Sequence, residues 1–241
     1  MTLSPTQTVR QLATDLPNAT RIFEQLGIDY CCGGGKSLQE ACVQARLPVE
    51  DVLRSLERGS APTATSEAGL DFQLCSLHEL ASYIVDTHHS YVKQEIPRIQ
   101  KLLAKVVAVH GKGHPELGSM AKVFAGLGDE MTSHMMKEEM VLFPYISELE
   151  AAIEERRRKP FAPFGTVSNP VQMMEMEHES AGNALRELRS LSSDYTPPQE
   201  ACFSYRTLFS ALEIFEKDLH QHIHLENNIL FPRAEKLEAG N

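Results

Sequence analysis

Apolar residues recur at spacings of three and four along most of the chain, which is the pattern of amphipathic helices. After residue 75 four long patterns of this kind follow one another, and β-type alternation is almost absent. Before residue 59 the helical patterns are shorter. There Gly27 is suited to end one helix, and Ser37 with Glu40 has the spacing of a capping box that begins another. We therefore predict an all-α protein with a four-helix bundle preceded by a small N-terminal helical domain.

The stretch 59–68 is rich in small and polar residues and lacks apolar periodicity, as flexible linkers do. It predicts a small helical domain over 1–58, a linker over 59–75 and the bundle over 76–241. Within the small domain, residues 29–35 read Asp-Tyr-Cys-Cys-Gly-Gly-Gly. Three consecutive glycines predict a loop that can approach a partner closely.

Composition narrows the class of protein. The formal net charge is −10, which disfavours nucleic acid and anionic membranes as main partners. No apolar stretch approaches the roughly 20 residues that cross a bilayer, and the first residues do not resemble a signal peptide. The 5 cysteines are odd in number and two are adjacent, which does not fit a secreted disulfide framework. We therefore expect a cytoplasmic protein.

Polar residues interrupt the apolar stripes of all four long helices. Two interruptions form an internal repeat, His-x3-Glu-x3-Leu-Phe-Pro, which begins at His134 and again at His222. Residues four apart share one face of a helix, so each copy presents an imidazole and a carboxylate together. Polar groups at core positions are costly unless something satisfies them. The six candidates for a common site are His88, His134, Glu138, His178, His222 and Glu226.

These six side chains predict a dinuclear metal site. A single buried histidine is more often a hydrogen-bonded core residue, and a lone His-x3-Glu pair is more often a surface pair, so the prediction depends on the combination. If Glu138 and Glu226 bridge, each metal receives two histidines and two carboxylate oxygens. About two of six octahedral positions then remain open. Mixed imidazole and carboxylate ligands suit iron or manganese. Two iron ions with an oxo or hydroxo bridge are our first choice, able to bind dioxygen, nitric oxide or peroxide.

The ligand on the first long helix is open between two neighbours. His88 and His89 differ by about 100° around an α-helix, so their side chains point in different directions. The apolar stripe selects His88.

Four motifs resemble the repair of iron centres family, hemerythrin-like di-iron proteins linked to iron-sulfur cluster repair under nitrosative and oxidative stress. They are the segments 29–35, 133–139 (Ser-His-Met-Met-Lys-Glu-Glu), 177–182 (Glu-His-Glu-Ser-Ala-Gly) and 225–232 (Leu-Glu-Asn-Asn-Ile-Leu-Phe-Pro). The resemblance implies the same six iron ligands. It also implies that Glu130 and Glu177 line a route for ligand or protons, although a solvated helix face explains them equally well. His110 is a looser candidate for a labile ligand.

The adjacent cysteines Cys31 and Cys32 have two interpretations. They are either small buried residues of a glycine-rich loop or redox thiols, and the glycines favour the second. The resemblance implies that damaged iron-sulfur proteins are the partners, with iron donation or nitric oxide handling as the activity and a homodimer as one possible assembly. The alternatives are a di-iron nitric oxide reductase or peroxidase, and a sensor of oxygen or nitric oxide.

Overall fold

The computed structural model describes residues 3–16, 18–31, 33–59 and 71–240. The N-terminal unit contains four short helices. Thr8 and Ser37 form capping boxes with Gln11 and Glu40 at two of their starts, and Gly27 ends the second in the left-handed conformation (φ 65°). The helices are α1 (Val9–Asp15), α2 (Ala19–Leu26), α3 (Leu38–Ala45) and α4 (Val49–Gly59).

Four helical rods make up the rest of the described chain, and three of them contain a π-helical turn. The first rod is α5 (Leu77–Tyr83), a π turn (Ile84–His89) and α6 (Ser90–His110), and the second is α7 (Glu116–Lys137), a π turn (Glu138–Leu142) and α8 (Phe143–Glu154). The third is α9 (Ser168–Leu191), and the fourth is α10 (Phe203–Leu225), a π turn (Glu226–Leu230) and α11 (Phe231–Ala239). The described residues form no strand beyond one isolated bridge between Thr8 and Ser37. The predicted all-α bundle with a helical N-terminal region is confirmed.

The π turns change which side chains face the core. A π turn has i→i+5 hydrogen bonds, so a side chain recurs on the same face after five residues rather than three or four. His89 is the last residue of the first π turn, whereas Glu138 and Glu226 are the first residues of the other two. Such turns occur frequently at functional sites.

Two apolar clusters fill the interior, and polar residues separate them along each rod. One cluster joins the N-terminal unit to the bundle, with Phe23 and Leu38 in the same core as Phe215. The other contains Leu80 and Phe231 and lies at the opposite end of the polar layer. No described helix is long and apolar enough to span a bilayer.

The N-terminal unit packs on the fourth rod. The side-chain nitrogen of Asn228 donates to the backbone oxygen of Tyr30 at 2.9 Å, and the ring of Tyr30 meets His224 edge-on with centroids 5.4 Å apart. His220 Nδ1 lies 2.9 Å from a carboxylate oxygen of Glu24. The loop that carries Cys31 is thus seated against the third π turn.

Candidate metal centre

Six buried side chains meet between the two apolar clusters and form the candidate metal centre. They fall into two groups of four, and within each group the ligand atoms all lie within 4.8 Å of one another. Glu138 and Glu226 belong to both groups. The first group adds His89 and His222, and the second adds His134 and His178.

The imidazole nitrogens of each group face one another at short range. The Nε2 atoms of His134 and His178 are 2.9 Å apart, and those of His89 and His222 are 3.1 Å apart. A hydrogen bond could explain each short nitrogen-nitrogen distance by itself. The same nitrogens also lie close to the carboxylate oxygens of Glu138 and Glu226, so each group has several lone pairs directed at one space. Lone pairs that point into a common space are the arrangement that a cation between them requires.

The two carboxylates lie in the middle of the centre. Glu138 Oε2 is 3.2 Å from His134 Nε2, and Glu226 Oε2 is 3.1 Å from His178 Nε2. Both oxygens of Glu138 and Oε2 of Glu226 are buried, and no described residue makes a well-formed hydrogen bond to them. Buried carboxylate oxygens normally have partners. The donor set of this centre therefore fits metal binding, with Glu138 and Glu226 common to both groups.

The charges of the centre support the same arrangement. Burial alone would raise the pKa of both carboxyls, but the neighbouring imidazoles outweigh it and hold the pKa of Glu138 below, and that of Glu226 well below, the ordinary value. Burial alone would lower the pKa of the imidazoles. The carboxylates reverse this and raise the pKa of His89 to about 10 and that of His134 to about 9. Burial dominates at His222, whose pKa is lowered. Ionised carboxylates thus stay buried beside protonated imidazoles, whose positive charges a cation can replace.

Partners outside the centre fix three of the four rings at Nδ1. These partners are Glu139 for His89 at 2.7 Å, Glu177 for His134 at 2.9 Å, and Asn227 for His178 at 2.8 Å. Such outer partners set the ring orientation and leave Nε2 for the metal. Sequence reasoning did not identify the partners Glu139 and Asn227. The signal was present, because each directly follows a carboxylate of the repeat.

The structure places His89, and not His88, in the first-rod position of the centre. The Nε2 atom of His89 lies 3.4 Å from Glu138 Oε2, whereas His88 Nδ1 lies 3.0 Å from Asp218 Oδ1, and His88 belongs to neither group. The physical reason is the π turn. Counting four residues from the core residue Ile84 leads to His88, but the turn brings the fifth residue, His89, to the inner face.

The two predicted acidic residues, Glu177 and Glu130, lie outside the centre. Glu177 contacts His134 and also pairs with Lys137, while Glu130 accepts a hydrogen bond from Ser180 on the surface.

The first of the adjacent cysteines, Cys31, is 2% exposed, and its thiol donates to Asp29 Oδ1 at 3.5 Å. Cys32 lies outside the described residues. His110 ends α6, where its Nε2 lies 3.2 Å from Cys202 Sγ. His110 is thus 21 residues beyond His89 in the first rod, about 30 Å at 1.5 Å per residue, so it is not part of the centre.

Comparison with known proteins agrees with this architecture. The profile of the hemerythrin HHE cation binding domain matches residues 80–234, and that of a domain of unknown function, DUF542, matches residues 5–59. The chain is 34% identical over 235 residues to a probable iron-sulfur cluster repair protein of Haemophilus influenzae, with 95% of this chain and 96% of that protein covered. It is also 34% identical over 232 residues to the iron-sulfur cluster repair protein YtfE of Dickeya chrysanthemi, with the same coverage. For the YtfE protein of Pectobacterium atrosepticum the identity is 32% over 228 residues, again with 95% and 96% covered. The chain therefore belongs to the hemerythrin HHE family of cation-binding proteins, and its relatives at this level of identity are named iron-sulfur cluster repair proteins.

Proposed function

We propose that this chain binds two iron ions at the candidate metal centre and helps to repair iron-sulfur clusters damaged by nitrosative and oxidative stress. The observation that carries the proposal is the pair of four-residue groups that share Glu138 and Glu226. The names of the relatives, which describe iron-sulfur cluster repair proteins, support the biological role. The proposal places the protein in the cytoplasm and takes damaged iron-sulfur proteins as its partners.

In this proposal His89 and His222 would hold one ion and His134 and His178 the other, with Glu138 and Glu226 available to both. Two ferrous ions carry a charge of +4 against −2 from Glu138 and Glu226, so the loaded centre is positive and favours anionic or small dipolar ligands. When bound, iron supplies exchangeable coordination positions for nitric oxide or dioxygen and a reversible one-electron couple. The protein residues hold the ions in a dry layer, since the six ligands are at most 1% exposed.

Two half-exposed ion pairs lie between the centre and solvent. Glu177 joins the ring of His134 to Lys137, and Glu139 joins the ring of His89 to Lys93. Each carboxylate is about a quarter to a third exposed. Displacing one such pair would remove the outer partner of a ligand ring, and loss of such a partner weakens metal binding. Outer partners that can be displaced from the solvent side support iron donation as the activity.

The function is tested by loading the purified protein with ferrous iron and counting the metal. The loaded protein is then mixed with an iron-free cluster-binding protein, sulfide and a thiol reductant. We expect two irons per chain and recovery of cluster absorption in proportion to the iron supplied. Glu226→Ala should fail in both measurements, and the exposed Glu57→Ala serves as the control. Catalytic consumption of nitric oxide without iron transfer would instead favour a reductase. One zinc per chain would refute the proposal.

We propose further that Cys31 and Cys32 act as redox thiols in this repair. Support comes from the position of Cys31 directly after Tyr30, whose backbone contacts Asn228 in the π turn that begins with Glu226. The double Ser variant should keep its iron and its melting temperature but lose repair activity. Full activity of that variant would limit the function to the bundle.

A further inference from the structure

One of the four rings in the candidate metal centre lacks the outer partner that the other three have. Carboxylates hold His89 and His134 at Nδ1, and an amide holds His178. The Nδ1 atom of His222 is buried and has no hydrogen-bond partner among the described residues. Metal-binding histidines almost always bond a second group through the other ring nitrogen. A partner for His222 is therefore expected.

The internal repeat indicates where this partner should lie. Two-fold symmetry of the centre exchanges the second rod with the fourth and the first rod with the third. In the third rod, the residue before the ligand His178 is Glu177, and Glu177 holds His134 in the second rod. By the same relation, the residue before the ligand His89 in the first rod should hold His222 in the fourth. That residue is His88.

The observed geometry agrees with this expectation. The rings of His88 and His222 are nearly parallel, at 9°, with centroids 5.8 Å apart. The Nε2 atom of His88 is itself buried and has no hydrogen-bond partner in the described chain. Two neighbouring rings thus each have one unsatisfied buried nitrogen. A hydrogen bond between these two nitrogens would satisfy both.

We propose that His88 is a positioning residue that orients His222 for metal binding, an inference that rests on the proposed function of the centre. Asp218 Oδ1 lies 3.0 Å from His88 Nδ1 and lies one turn before His222 on α10. Asp218 accepts the Nδ1 proton of His88, which leaves Nε2 as an acceptor for the Nδ1 proton of His222. The Nε2 lone pair of His222 then faces the metal. Asp218, whose side chain is 20% exposed, is thus connected through His88 to His222 in the centre.

The proposal makes the two metal positions unequal. The partner of His134 is the carboxylate of Glu177, which carries a full negative charge. The partner of His222 is a ring nitrogen of His88, which is a weaker acceptor than a carboxylate. His222 should therefore be the less basic ligand of the two.

The test compares iron-loaded wild-type protein with His88→Ala and His88→Gln. Loss of an outer partner typically lowers metal affinity 10–100-fold. We expect His88→Ala to bind two irons at saturation but to lose one about 10–100-fold more readily to a chelator, with only one of two Mössbauer components altered. His88→Gln should recover most of the affinity, because its amide oxygen accepts the same proton. In zinc-loaded protein, ¹⁵N NMR should show the His222 proton on Nδ1 in wild type.

Several results would overturn the proposal. Unchanged affinity and spectrum in His88→Ala would show that His88 does not act on the centre. Equal losses in the Ala and Gln variants would show a packing role only. One iron missing from His88→Ala at saturation would make His88 a ligand. A wild-type protein without iron would instead refute the proposed function, and so distinguishes the two failures.

Discussion

Replacing His89 by Ala should remove one of the two metal ions that we propose the centre binds. The ring is fully buried, and its Nε2 atom lies 3.4 Å from Glu138 Oε2 and 3.1 Å from His222 Nε2. Its loss leaves the first ion with a single imidazole and two shared carboxylates. We therefore expect about one tightly bound iron per chain in place of two, with the ion held by His134 and His178 retained.

The loss of stability can be estimated from the binding free energy of one ion. A ligand present at 100 times its dissociation constant stabilises the folded state by about 2.7 kcal/mol. For a chain of this size each kcal/mol shifts the melting temperature by roughly 2–4 °C. Losing one ion should therefore lower the melting temperature by about 5–11 °C under such loading. Without metal, the free energy of unfolding of His89→Ala should also be lower than that of wild type, by the order of 3–5 kcal/mol, because the buried His89 imidazolium between two carboxylates is lost.

Metal content by mass spectrometry and thermal unfolding with and without chelator separate the two effects. The matched control is His78→Ala, which removes an exposed imidazole from the same rod. It should leave both measurements close to wild type. Two tightly bound irons in His89→Ala, with wild-type chelator resistance, would show that another side chain fills this position and that the assignment of His89 is wrong.

Two further predictions concern the docked loop and pH. At Gly34 an added Cβ would lie 2.8 Å from a backbone oxygen of the loop, whereas at Gly35 it would meet nothing within 4 Å. Gly34→Ala should therefore lower the free energy of unfolding in urea by about 1–3 kcal/mol, and Gly35→Ala should change it little. Equal losses in the two variants would contradict the close contact described at Gly34. In metal-free protein the raised pKa values of His89 and His134 contribute stability that is fully present below about 6.5 and is lost as pH rises through 9 to 10. The melting temperature of metal-free protein should fall between pH 6.5 and 10, whereas that of metal-loaded protein should stay constant. A constant melting temperature in metal-free protein would refute the pairing of protonated His89 and His134 with the carboxylates.

The sequence by itself determined the helical class and most of the centre. Spacings of three and four defined the long helices, and the capping box at Ser76 and Glu79 begins α5 as its spacing predicts. The His-x3-Glu repeat placed two imidazoles and two carboxylates on helix faces that must point inward. This was predictable because helix periodicity is a local property, set by residues within one or two turns.

Only the tertiary structure decided which first-rod histidine joins the centre. The π turn inserts one residue into the helical repeat, and a stripe counted at α-helical spacing then leads to His88 instead of His89. The spacing of neighbouring apolar residues does not encode such a turn. The turn allows His89 to contact Glu138 and Glu226, which lie 49 and 137 residues later in the chain. These contacts exist only after the rods assemble.

Long-range packing also decided the surroundings of the centre. Glu139 and Asn227 were visible as residues that follow the repeated carboxylates, but their contact with rings on neighbouring rods depends on how the rods are rotated. The composition of residues 59–68 predicted a flexible linker, and it did not indicate that the N-terminal unit shares a core with the bundle, as the structure shows. Composition describes the linker alone, and the apolar faces on either side of it decide whether the two units pack together.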